Sequence, residues 1–240
     1  MSKQFHPATF PIGLAEEFIR FFTKPGEWVI DPFLGAGSTS IAAKVNNRNC
    51  VGIELYPDFL RAAGEWTSTA KGEGRAVLIR GDARVVTPKL RGMGLPLMDF
   101  CLTSPPYWSQ LSAPSASKEK AEERIAAGLD PDYGRDENDL GNILDYEVFL
   151  REQDSVFDAL FDSMRERAYL VVVTNNVYHN GRLYPLAFDT FRSLSRKWVP
   201  KDERIWCQDD KKLRPFGMFH SYIGNRSHHY CLVFRKQTRT

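Results

Sequence analysis

Five residues, Ser104-Pro105-Pro106-Tyr107-Trp108, follow directly on the apolar run "LMDFCLT" at 97–103. Two consecutive prolines cannot continue a central strand, because they lack backbone donors and have a fixed φ. They stiffen the chain at the point where a buried strand would end. A serine hydroxyl and a proline carbonyl can then be held as two hydrogen-bond acceptors, and two aromatics follow them immediately. Such a stretch is either a rigid turn under an aromatic lid or a site built to hold N–H groups against a flat face.

Three acids stand where other apolar runs end: Asp31 after "EWVI", Glu54 after "NCVGI" and Asp82 after "AVLIRG". The first is followed by "PFLGAGST". Gly35 and Gly37 there let the backbone approach a ligand closely, and the helix that starts at Ser38-Thr39 offers its N-terminus. An acid directly before this loop repels a pyrophosphate and suits a cation. An acid about one strand-helix-strand unit later is where ribose hydroxyls are held in nucleoside-binding sheets. Adenosine plus a positive charge, without phosphates, describes S-adenosylmethionine. The bland reading is that the three acids cap helices in an ordinary α/β protein.

The elements that must position these residues alternate. An amphipathic helix over "PIGLAEEFIRFF", opened by Pro11, precedes strands at "EWVID", "NCVGIEL", "AVLIRGDA" and "LMDFCLT", with helices at "STSIAAKVNN" and "DFLRAAGEWTSTA" between them. Further helices are expected at "DYEVFLREQDSVFDALFDSM" and "YPLAFDTFRSLSRK". Further strands are expected at "YLVVVTNN", "RIWCQ" and "HHYCLVFRK". This alternation argues for a parallel sheet with right-handed crossovers. Residues 109–145 break the rhythm as a polar insertion. The expected organisation is one domain over 1–240, with that insertion and a basic segment at 209–229.

Composition narrows the class. The chain has 240 residues, 42% of them hydrophobic, enough for one α/β core. No apolar run approaches the roughly 20 residues of a membrane span. The N-terminus has no signal-peptide pattern, so a cytoplasmic protein is expected. Cys50, Cys101, Cys207 and Cys231 form no CxxC pair, which argues against zinc or a disulfide framework. His228 and His229 are neighbours on one strand and point to opposite faces, so no metal site is expected. Residues 118–147 hold four Lys/Arg against ten Asp/Glu, whereas 196–240 hold eleven against four. A basic C-terminal fifth suits a polyanionic partner or a solvated face.

Taken together, "HPATFP", "DPFLGAGST", "VGIEL", "GDA" and "TSPPYW" resemble the amino-methylating DNA methyltransferases, the N4-cytosine and N6-adenine enzymes dependent on S-adenosylmethionine. The resemblance runs from His6 to about Trp108 and resumes weakly at 133–150 and 225–236. It implies a Rossmann-like α/β fold: a seven-stranded methyltransferase sheet with helices on both faces. It also implies that Thr9 and Phe10 close over the methionine end and that Asp31, within Asp31-Pro32-Phe33, lies near the methionine amino group. Gly35, Gly37, Ser38 and Thr39 would line the cofactor, Glu54-Leu55 would hold the ribose, and Asp82-Ala83 would meet the adenine. Ser104, Pro105, Pro106 and Tyr107 would be catalytic.

The chemistry behind the last assignment is general. An exocyclic base amine is a poor nucleophile, because its lone pair is delocalised into the ring. Acceptors at its two N–H groups favour pyramidalisation and stabilise the developing charge. Tyr107 would stack on a flipped base, and Trp108 would assist or simply pack. In the family that the chain resembles, serine at the first position is commoner in the cytosine-N4 branch, so the resemblance implies cytosine N4 over adenine N6; both amines need the same two acceptors. No Pro-Cys exists, which disfavours methylation at cytosine carbon 5. The motif order is cofactor segment first, whereas many relatives have the reverse; both orders can close the same sheet.

Double-stranded DNA is the expected partner, with Lys211, Lys212, Arg214 and Arg226 as phosphate contacts, and a restriction or specificity protein as a second partner class. The acidic insertion is expected to be a lid or protein-binding arm, with Arg124 and Arg135 in reach of DNA. Two alternatives stay open: methylation of RNA or of a protein amide, and a non-catalytic nucleic-acid-binding module.

Overall fold

Apolar strands and amphipathic helices alternate in the order the sequence suggests, and a computed structural model describes them over residues 10–108, 136–208, 215–216, 223–224 and 226–238. Helix α1 (Ile12–Phe22) lies before the sheet, with Pro11 as its N-cap. Then follow β1 (Trp28–Asp31), α2 (Ser38–Val45), β2 (Asn49–Glu54), α3 (Pro57–Thr69), β3 (Ala76–Arg80), α4 (Ala83–Val86) and β4 (Met98–Thr103). Beyond residue 135 come α5 (Tyr146–Ser163), β5 (Met164–Thr174), β6 (Val177–His179), β7 (Arg182–Tyr184) and α6 (Leu186–Leu194). The last strands are β8 (Val199–Cys207), β9 (Pro215–Phe216), β10 (Ile223–Gly224) and β11 (His228–Arg235).

Seven strands form one sheet in the order β3-β2-β1-β4-β5-β11-β8. The first five are parallel, and β11 runs antiparallel to both β5 and β8. The expected seven-stranded Rossmann-like sheet is therefore present. Strand order reverses between β1 and β4, and such a reversal opens a crevice at the carboxyl ends of the strands. Asp31 and Glu54 are the last residues of β1 and β2, and Ser104 directly follows β4.

Alternation along the strands buries both faces. Val29, Phe100, Leu102, Val171 and Val233 pack against Phe18 and Ile19 of α1 and Ala42 and Ala43 of α2. Ile30, Val51, Ile53, Cys101, Leu170 and Val172 pack against Phe157 and Leu160 of α5 and against Trp198. A third cluster, with Trp108, Leu140, Phe149, Leu150, Val177 and Leu186, lies beside the Ser104–Tyr107 segment.

Several elements differ from the sequence reading, among them α4, which takes up the Ala83 end of the expected strand "AVLIRGDA", and the β9–β10 pair. Strand β5 begins at Met164, earlier than "YLVVVTNN", and α5 ends one residue short of that methionine. Polar Arg165-Glu166-Arg167 hides the strand from a hydrophobic count, yet Met164 pairs with Met98. Strand β8 extends back to Val199, because an edge strand tolerates the exposed charges of Lys201–Arg204. The β6–β7 hairpin was not foreseen, although it turns on Asn180-Gly181 with both φ values positive, 47° and 78°. Asn-Gly is the strongest short hairpin signal, and the sequence contains it.

Phe157 is fully buried at the centre of the α5 face. Phe157→Ala should lower unfolding free energy by about 3–5 kcal/mol in urea denaturation. A loss below about 1 kcal/mol would mean that α5 does not form the core described.

Candidate functional site

Asp31 ends β1 fully buried, and three donors converge on its carboxylate. Thr39 of α2 donates to Oδ2 at 2.6 Å, Thr103 of β4 donates to Oδ1 at 2.6 Å, and the Phe33 backbone N–H donates to Oδ1 at 3.0 Å. One carboxylate thus ties the glycine loop to the strand that leads into Ser104. Glu54 does the same one strand away. Its Oε2 accepts from the Gly35 N–H at 2.8 Å and its Oε1 from the Tyr56 N–H at 2.9 Å.

The donors on both acids are hydroxyls and backbone N–H groups. Burial therefore pushes the Asp31 carboxyl up to about 6, with Thr103, Thr39 and Phe33 only partly offsetting it. Burial pushes Glu54 up to about 7, against its two backbone hydrogen bonds, with Asp31 and Asp139 adding repulsion. Two buried acids short of positive charge suit a ligand that carries a cation and hydroxyl groups.

The loop between them is shaped by its glycines. Gly35 and Gly37 have φ values of 55° and 94°. Gly37 caps α2, and a Cβ there would sit 2.9 Å from the Ala63 Cβ and 3.0 Å from the Ala63 Cα. Position 37 is closed to larger residues by conformation and by contact.

Other expected cofactor residues fall as follows. Pro32, Ser38 and Ala83 are buried, while Phe33 and Leu55 are partly so. Phe33 packs against the same cluster as Tyr107. Phe10 is buried among the α1 and α2 core residues. Asp82 caps α4 by accepting from the Arg84 N–H at 2.9 Å, and it pairs with the Arg84 guanidinium at 2.8 Å. Arg84 also pairs with Glu152 and donates to the Asn138 carbonyl. Tyr56 donates to Asp139 at 2.7 Å, so residues 138 and 139 are tied to the Glu54 side of the crevice.

The Ser104–Tyr107 segment leaves the sheet beside Asp31. Pro105 is buried; Ser104, Pro106 and Tyr107 are half-buried. Ser104 Oγ lies 3.2 Å from the Tyr107 hydroxyl, and that hydroxyl lies 3.0 Å from His229 Nδ1. Burial holds the Tyr107 phenol well above its ordinary value. Trp108 is 4% exposed and sits between Tyr146 and Tyr184, with centroids at 5.0 and 4.5 Å. Arg226 is half-buried, and burial lowers its guanidinium pKa. Thr9, Lys211, Lys212, Arg214, His6, Arg124 and Arg135 lie outside the described residues.

Sequence reasoning passed over two residues at this site. Thr103 is the last residue of β4, and a hydroxyl at the end of an apolar run gives no signal by itself. His229 was read only as a strand residue. Among the described residues, no group of three or more His, Cys, Asp or Glu could hold a metal ion. No described helix is long and apolar enough to cross a membrane.

Residues 1–65 match a family model described as DNA methylase, the N6/N4 type. The orphan methyltransferase M.BamHII of Bacillus amyloliquefaciens is 42% identical over 60 residues, which are 25% of this chain and 23% of that protein. The type II methyltransferase M.Cfr9I of Citrobacter freundii is 43% identical over 58 residues, 24% of this chain and 19% of that one. The aligned stretch thus spans less than a quarter of either relative. Among solved structures, an rRNA methylase from Streptococcus thermophilus aligns with a TM-score of 0.52 at 9% identity, covering 96% of this chain and 99% of that one. SMU.1697c from Streptococcus mutans, solved in complex with SAH, aligns with a TM-score of 0.51 at 11% identity, covering 95% and 99%. At such identities the likeness is one of fold. The N-terminal match bears out the resemblance to amino-methylating DNA methyltransferases read from the motifs.

The raised carboxyls have a consequence for stability. Asp31 and Glu54 ionise at higher pH in the folded chain than their ordinary values of 3.8 and 4.5. Their contribution is fully present below those values and is lost as pH rises through about 6 and 7. The melting temperature of ligand-free protein should therefore fall between pH 5 and pH 8, and Asp31→Asn with Glu54→Gln should flatten that slope. An unchanged slope in calorimetry would contradict the assignment.

Proposed function

We propose that this chain binds S-adenosylmethionine in the Asp31–Glu54 crevice and methylates an exocyclic amine of a flipped DNA base, cytosine N4 in preference to adenine N6. The observation that carries this reading is the hydrogen bond from Thr103 to Asp31, which sets Ser104-Pro105-Pro106-Tyr107 immediately beside the candidate cofactor loop.

The residues present fit the cofactor. Gly35 and Gly37 turn the loop between the two acids with positive φ, and the donors on both buried acids are hydroxyls and backbone N–H groups. Asp31 would receive the amino group of the methionine part and Glu54 the ribose hydroxyls. When bound, the cofactor supplies an electrophilic methyl group on a sulfonium. The chain's own residues then act on the base. Ser104 Oγ and the Pro105 carbonyl accept from its two N–H groups, which frees the nitrogen lone pair and favours the positive charge that develops. The two prolines keep the acceptors aimed before the base arrives, so orientation contributes much of the rate. Tyr107 offers an aromatic face for the extruded base. Serine at position 104, commoner in the cytosine-N4 branch of the family that the chain resembles, supports the cytosine preference. Duplex DNA is the proposed substrate, with Lys211, Lys212, Arg214 and Arg226 as its phosphate contacts. A restriction or specificity protein is a proposed companion.

The test is incubation with unmethylated genomic DNA and isotope-labelled S-adenosylmethionine, followed by digestion to nucleosides and mass spectrometry. Labelled N4-methylcytosine is expected; labelled N6-methyladenine would correct the base; label in RNA alone would overturn the DNA reading. Ser104→Ala should lower turnover by about a hundredfold or more, the scale seen when one pre-organised transition-state partner is removed, while cofactor affinity persists. Glu54→Ala should instead weaken cofactor affinity. Unchanged turnover in Ser104→Ala would show that this serine is not at the reacting centre.

A further inference from the structure

Methyl transfer to an amine leaves a proton to be disposed of, and the four catalytic residues hold no group that takes it to solvent. Ser104 is bonded to Tyr107, and Tyr107 is bonded to His229. His229 comes from β11, 122 residues away in sequence from Tyr107. It lies opposite Trp206 in the β8–β11 register, and the indole stacks on its ring at 4.8 Å and 24°. The start of β11 itself is held by Asn175, which donates to the His228 carbonyl at 2.9 Å. The imidazole is therefore held by packing and backbone pairing, with Nδ1 turned toward the phenol. It is half-buried, so a path from the ring to water is short.

We infer that Ser104, Tyr107 and His229 form a proton relay, with His229 Nδ1 as the acceptor for the proton lost by the methylated amine. This deepens the proposed function and rests on it. The balance is as follows. The amine nitrogen pair forms the N–C bond, the C–S bond breaks and its pair goes to sulfur, leaving a neutral thioether and a cationic N-methyl amine. The amine proton passes to Ser104 Oγ, the serine proton to the Tyr107 oxygen, and the phenol proton to Nδ1. Neither hydroxyl gains or loses a net proton, so the phenol never has to ionise in a site that opposes its ionisation. The imidazolium formed then releases its proton to solvent.

His229 acts through Tyr107 and is a positioning and proton-accepting residue rather than one that touches the base. Histidine suits the task, since its ordinary pKa near 6.5 lets it accept and release a proton close to neutrality. Tyr107 comes from the loop and Cys231 from the same strand. Arg204 on β8 and Glu17 on α1 act on Cys231 with opposite signs.

Two measurements test the relay. Single-turnover methyl transfer should show an acid limb in the wild type, with His229→Gln slower by at least about tenfold at neutral pH and the limb gone. A merely structural role would lower the rate without removing the limb. Nitrogen-15 NMR of the wild-type imidazole should find Nδ1 unprotonated and Nε2 protonated at pH 8. His229→Gln with wild-type rate and limb would overturn the relay while leaving the methyltransferase reading intact. Wild-type protein inactive on every nucleic acid would defeat that reading instead. A protonated Nδ1 in the NMR experiment would overturn the relay whatever the activity.

Discussion

The site depends on one buried carboxylate. Asp31 accepts from α2, from the loop after β1 and from β4, so a single side chain fixes the glycine turn relative to the proposed catalytic segment. Burying an acid among neutral donors is costly, and the raised pKa of Asp31 records that cost. A bound cation offsets it. Under the proposed function the same arrangement favours a positively charged ligand, and Glu54 repeats the logic one strand away.

The sheet supplies what neither acid can supply alone. Reversal of strand order between β1 and β4 opens the crevice, and the parallel register brings the ends of β1, β2 and β4 together. Antiparallel β11 then contributes a residue from the far end of the chain. His229 reaches Tyr107 because β11 is clamped between β5 and β8 along most of its length. A fold built this way can join a local tetrapeptide to a distant imidazole without any motif that spans them.

Much of this was legible in the sequence. Acids at strand ends, a glycine turn and a Ser-Pro-Pro-Tyr segment are local features, and each follows from short-range backbone chemistry. Asp31, Glu54 and the glycine loop lie together as their spacing implies. The partnership of Thr103 with Asp31 was not legible, because it depends on strand order rather than on neighbours in sequence. The reach of His229 was hidden for the same reason: alternation gave its strand, but only the pairing with Trp206 gives its face. Strand β5 was shortened in the reading because Arg165-Glu166-Arg167 carries no apolar signal, although the tertiary pairing extends it. The β6–β7 hairpin is a different case, since its signal, Asn180-Gly181, is local and stands in the sequence.

The most direct measurement is a crystal structure of the protein soaked with S-adenosylhomocysteine. The ribose hydroxyls should lie on the Glu54 carboxylate and the amino group beside Asp31. The sulfur should face the opening at Ser104 and Pro105. A ligand bound elsewhere, or one whose sulfur points away from Ser104, would contradict the assignment of one crevice to both cofactor and chemistry.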